Sequence, residues 1–130
     1  MAFEPRFSAG VAMEVAVSLG KGDWLLPHYL TGFPRSMVGE REHHELLALT
    51  APRALLIIGA DDGTGKNTNA YAGIPSWPFI KAALPVYHAL GAGDRLGLYC
   101  NGLNEHAMDQ RSKELAYSWI DHWLNVSAPP

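Results

Sequence analysis

Two side chains with hydrolytic chemistry follow two separate runs of this sequence. The stretch "LLIIGADD", residues 55–62, is an apolar run that delivers a carboxylate. Asp62 closes it, and 44 residues later "NEHAMD" carries His106 in a polar setting. A carboxylate that orients an imidazole, and an imidazole that takes a proton from a nucleophile, are two of the three parts of an acyl-transfer triad. Asp62 would hold the imidazole tautomer and stabilise the imidazolium, and His106 would act as general base. Asn104, Glu105 and Asp109 crowd His106 in sequence and would raise its basicity. Asp61 is the alternative acid, and Asp61-Asp62-Gly63 also reads as a simple turn. The remaining histidines, His28, His43, His44, His88 and His122, read as structural.

Other chemistries fit less well. "GADDGTGKN" approaches a phosphate loop, but Gly65-Lys66 lies one residue too far from Gly59, and Asn67 stands where a hydroxyl should ligate magnesium. Two aspartates in that loop would also repel phosphate. No H-E-x-x-H or similar close pairing of ligands exists, so no metal and no cofactor are implied. The net charge of -3 and pI near 6.0 give no electrostatic case for nucleic acid or an anionic membrane surface. No apolar run approaches the roughly 20 residues that span a bilayer. "MAFEPRFSAG" lacks the basic and apolar regions of a signal peptide, so the chain is expected to be soluble. Cys100 is the single cysteine, which excludes an internal disulfide. With 48% hydrophobic and 18% charged residues over 130 positions, one globular domain is expected, residues 1–130.

The elements that must position the acid and the base follow from periodicity. "RALLIIGA" is apolar on both faces, as a central parallel strand is when helices cover both sides. "RLGLYC" is a second strand. "RFSAGVAMEVAVSL" reads as a buried strand or a short helix; periodicity alone does not choose. Residues 24–42 mix aromatics and prolines and read as an irregular cover. "HHELLALTAPR" is a short helix stopped before Pro52. "WPFIKAALPVYHALGAG" is a helix with a kink expected at Pro85 and a glycine stop. From about residue 108 to 126, Leu115, Ala116, Trp119, Ile120, Trp123 and Leu124 recur at helical spacing and make one apolar face. Alternating strand and helix implies an α/β fold, a short parallel sheet of about three strands flanked by helices. In such sheets chemistry sits at the carboxyl ends of the strands, which is where Asp62 and His106 fall.

"APRALLIIGADD", the helix ending "PVYHALGA", the following strand, "NEHAMD" and the terminal helix together resemble the C-terminal portion of an α/β-hydrolase. In that fold an acid commonly follows the seventh strand as G-x-x-D. Gly59-Ala60-Asp61-Asp62 matches, and the resemblance thereby selects Asp62. The triad histidine lies between the eighth strand and the last helix, as His106 does. "HHELLALTAPR" and "ALPVYHALGA" are similar to stretches of glucuronoyl esterases and acetyl xylan esterase-like enzymes. "EPRFSAGVAME" is similar to their sixth-strand segment, which in glucuronoyl esterases ends in an alternative catalytic glutamate. The resemblance puts Glu14 there; as a purely structural residue it would need a cation such as Arg6 or Lys21. The "SGxGG" run after that glutamate is absent from this chain, as is a tryptophan shortly after the acid.

The nucleophile of that fold requires G-x-S-x-G on a tight strand-to-helix turn. None of the seven serines has glycine at both flanking positions. Ser8 in "RFSAG" has Gly10 but Arg6 in place of the other glycine, and no apolar strand precedes it. The expectation is therefore the C-terminal portion of a serine ester hydrolase, with a small-molecule or carbohydrate ester as substrate and the nucleophile outside this chain. The rival expectation is a catalytically inactive α/β interaction module. Either way the first strand would lie at a sheet edge, to be met by the missing N-terminal half or by a second copy in a homo-oligomer.

Overall fold

The six residues Ala54–Gly59 carry no polar side chain, and all six are buried. A strand buried on both faces needs a cover on each face and a neighbour at each edge. The computed structural model describes residues 1–15, 42–60, 73–103, 105 and 107–125. There β2 (Ala54–Gly59) lies between β1 (Ala9–Met13) and β3 (Leu96–Cys100) and runs parallel to both, in the order β1-β2-β3. The helices α1 (His43–Ala48) and α2 (Trp77–Ala89) pack together on one face, and α3 (Gln110–Asn125) packs on β1 and β2 from the other. Successive side chains of a strand point to opposite faces. Leu55 and Ile57 accordingly join Leu47, Ile80, Ala83 and Tyr87 in one core cluster. Leu56 turns the other way, toward α3. At Gly97 an added Cβ would stand 3.2 Å from Leu56 Cδ1 and 3.4 Å from Trp119 Cη2. The missing side chain there is what lets Trp119 lie against the sheet.

The ambiguous N-terminal run is a strand, but shorter than its apolar extent. Glu14 adopts φ 55°, the left-handed region that disfavours side chains, and the extended backbone ends there. Residues 16–41, including most of the expected covering segment, lie outside the described residues. Helix α2 runs on through Pro85 to Ala89. Its stop is the expected glycine: Gly91 takes φ 67°, its N–H donates to His88 O (3.0 Å), and the Ala92 N–H donates to Tyr87 O (2.9 Å). This double bond pattern with an apolar contact across it is a Schellman stop. On α3, Trp123 is buried and Leu115, Ala116, Trp119 and Ile120 are half-buried, but Leu124 is exposed. Ser112 takes the fully buried place at the head of that stripe instead.

The amino ends of the strands carry a polar network. The Arg53 guanidinium donates to four backbone carbonyls: Thr50 O (3.1 Å), Leu49 O (2.9 Å), Met1 O (2.8 Å) and Glu4 O (2.8 Å). It thereby ties the turn after α1 to the chain before β1. Beside it the Thr50 hydroxyl donates to Leu47 O (2.6 Å), and the buried Tyr87 hydroxyl meets both Thr50 Oγ1 and Arg53 O. Burial pushes the Tyr87 hydroxyl above the ordinary tyrosine range, against the opposing effects of the Thr50 bond and the Arg53 charge. Two of the stretches that carry the hydrolase resemblance, "HHELLALTAPR" and "PVYHALGA", meet in this network. They sit at the end of the sheet away from the strand carboxyl termini, so their part is architectural.

Candidate active site

The carboxyl ends of the three strands stand side by side. The Glu14 N–H donates to Ile58 O (2.7 Å), and the Asn101 N–H donates to Gly59 O (3.0 Å). Glu14, Ala60 and Asn101 thus mark one edge of the sheet. Of the three sequence-derived site residues, Glu14 lies among the described residues. Asp62, its alternative Asp61, and His106 lie outside them. Asp62 follows Ala60 by two positions and His106 follows Asn101 by five.

Glu14 is buried at 9% exposure, and it is the single non-glycine residue with positive φ among those described. Such a conformation costs on the order of 1–3 kcal/mol and persists where the surroundings over-determine it, commonly at functional sites. Arg6, a cation that a structural Glu14 could have used, is engaged elsewhere, with its guanidinium 2.8 Å from the Glu4 carboxylate.

The loop after β3 is held by one side chain that sequence reasoning did not single out. Asn101 Nδ2 donates to Ala107 O (3.0 Å), and Asn101 Oδ1 accepts the Leu103 N–H (3.0 Å). Gly102 turns the chain at φ 77°. One amide therefore grips the loop on both sides of position 106. The signal was present as Asn-Gly directly after a strand, a turn dipeptide.

Asp109, expected near His106, caps α3: its Oδ1 accepts the Ser112 N–H at 2.8 Å. Hydrogen bonding to Ser112 holds the Asp109 carboxyl below the usual carboxylate range. A depressed native value stabilises the fold above the unfolded value of about 3.9, and that contribution is lost as pH falls through the native value. Asp109→Ala is expected to lower the melting temperature at pH 7 by roughly 3–8 °C, and Asp109→Asn, which still caps, by much less. The gap between wild type and the alanine variant should narrow as pH falls through the depressed native value, in melts followed by circular dichroism. A gap that is independent of pH would show that the carboxylate's charge adds nothing to the cap.

Ser8, the near-miss nucleophile, is at the wrong end. Its carbonyl accepts the Ala54 N–H (3.2 Å) at the amino entry of β1. Six residues of near-extended chain, roughly 20 Å, separate it from Glu14. Among the described residues no group of three His, Cys, Asp or Glu side chains gathers as metal ligands would.

This arrangement is similar to a solved carbohydrate esterase family 15 glucuronoyl esterase from Caldicellulosiruptor kristjansonii, at a TM-score of 0.63 and 21% sequence identity. The chain has a partial α/β fold, a three-stranded parallel sheet flanked by helices, like that of the esterase. The match takes in 98% of this chain and 40% of the esterase, so the chain spans well under half the length of that structure. No protein-family model and no curated protein matches the sequence.

Proposed function

We propose that these residues form the acid-and-histidine portion of a serine ester hydrolase, acting on carboxylic esters of small molecules or carbohydrates. The observation that carries this reading is the sheet edge at which Glu14 and the roots of the Asp62 and His106 loops adjoin, in a frame similar to that of a glucuronoyl esterase. A serine outside these 130 residues attacks the ester carbonyl carbon while His106 takes the hydroxyl proton. The tetrahedral intermediate collapses, and His106 returns that proton to the departing alcohol. Water, deprotonated by His106, then releases the acid and frees the serine. Asp62 orients the imidazole, with Glu14 as the alternative acid. The carboxylate oxygen and imidazole nitrogen are expected about 2.6–3.2 Å apart.

The test is hydrolysis of p-nitrophenyl acetate. The 130-residue chain alone is expected to be no faster than free imidazole, because an acid and base without their nucleophile keep little of the rate. The reading frame extended upstream to include a G-x-S-x-G serine is expected to turn over. Turnover by the short chain that Ser8→Ala abolishes would overturn the proposal.

A second reading, a self-associating module without activity, is favoured by the β1 edge. Among the described residues β1 pairs on one side only. The Ala54 N–H to Ser8 O and Glu14 N–H to Ile58 O bonds give the even-numbered residues of β1 to β2. In a parallel ladder the odd ones, Ala9, Val11 and Met13, then direct their N–H and C=O groups away from it. Phe3 and Phe7, just before the strand, are exposed at 83% and 55%. The sequence alone would place lysine at Val15 or Val17 to block this edge, but Val15 packs against the core cluster and Val17 lies outside the described residues. Val11→Pro removes an outward N–H and leaves the β2 bonds intact. It is expected to convert a sedimenting dimer to monomer with the circular dichroism unchanged. A wild-type chain that sediments as monomer at micromolar concentration excludes edge pairing.

A further inference from the structure

Glu14 keeps a left-handed backbone without glycine, so something must hold it there. On its amino side the Glu14 N–H is bonded to Ile58 O at 2.7 Å. On its carboxyl side the Ser76 hydroxyl donates to Val15 O at 2.8 Å. Ser76 is fully buried, in the turn Ile74–Ser76 that leads into α2. It follows Asp62 by fourteen positions in the chain. The strand that ends in one proposed acid is thus bonded to the turn that follows the other in sequence.

We infer that Ser76 is a positioning residue for Glu14. Its hydroxyl and the Ile58 carbonyl bracket the strained residue and keep it at the carboxyl end of β1 in the one backbone conformation that ends the strand there. A buried serine donating to a main-chain carbonyl sixty-one residues away is a tertiary bond, not a helix cap, and no side-chain cap bond of α2 competes for it. The consequence for catalysis rests on the acid role proposed for Glu14; the bracketing itself does not.

Amide hydrogen exchange on the 130-residue chain separates the two. Losing one hydrogen bond from the bracket should speed local opening, so Ser76→Ala is expected to raise the exchange rate of the Glu14 amide about tenfold. The Ile57 amide of β2 should exchange as in wild type. Ser76→Cys, which keeps nearly the same volume but donates weakly, should move the Glu14 amide in the same direction and serves if the alanine variant does not fold. Equal acceleration at Glu14 and Ile57 would mean that Ser76 supports the fold as a whole, and an unchanged Glu14 amide in either folded variant would overturn the inference. In the extended hydrolase, Ser76→Ala should lower kcat with KM little changed. If Glu14→Gln leaves that activity intact while the exchange result holds, the bracket stands and the acid role of Glu14 falls.

Discussion

His106→Ala in the serine-containing hydrolase is expected to lower kcat/KM on p-nitrophenyl acetate by about 10⁴-fold or more. A serine hydroxyl is a weak nucleophile at its own pKa, and its attack depends on a base placed to take the proton in the same step. Alanine removes that base and also the acid that returns the proton to the alcohol. What rate remains comes from oxyanion stabilisation and substrate binding, which the substitution leaves in place. Asp62→Asn and Glu14→Gln then identify the acid. The substitution that strikes the true orienting carboxylate should cost about 10⁴-fold in kcat, because the wrong imidazole tautomer is presented to the serine, and the other should cost little. A His106→Ala enzyme that retains a tenth of the wild-type rate would remove His106 from the mechanism.

Arg53→Ala is expected to destabilise the chain by about 2–4 kcal/mol, read from the urea midpoint at unchanged slope. One guanidinium satisfies four carbonyls drawn from the N-terminal segment and the turn after α1. Its removal takes the guanidinium donor from all four, though Met1 O keeps the Glu4 N–H and Thr50 O keeps the main-chain N–H of position 53, and it loosens Met1 to Glu4 from the sheet. Met1 also lies over Gly10, where an added Cβ would stand within 2.2 Å of its sulfur, so β1 loses cover at the same time. Arg53→Lys should recover less than half of the loss. An ammonium offers three donors from a single point and cannot span the fork of acceptors. A loss below about 0.5 kcal/mol would show that water serves those carbonyls equally well.

Much of the frame is legible in the residues. A six-residue run without a polar side chain, between a helix stopped at Pro52 and a polar loop, admits a central strand and little else. The spacing of Leu115, Ala116, Trp119 and Trp123 and the glycine after Leu90 marked a helix face and a helix stop. The structure has both. These signals are short-range, and they survive because burial on one or two faces selects side chains at the period of the element itself.

What the sequence by itself determined, then, is the α/β alternation, the parallel order, and the residue types that could serve a hydrolase: an acid in Asp62 or Glu14 and a base in His106. The tertiary structure decided where β1 ends, since the left-handed Glu14 is imposed by bonds to Ile58 and, through Val15, to Ser76. It decided that Asn101 bonds to both sides of position 106, that Asp109 caps α3, and that Arg53 and Tyr87 join two stretches that carry the esterase resemblance into a network at the opposite end of the sheet. It also packed Val15, just past the end of the strand, against the core cluster. The division has one physical cause. A residue's own type biases its backbone and its burial. Its hydrogen-bond partners and its register are set by which distant segments meet it, and no local period records that.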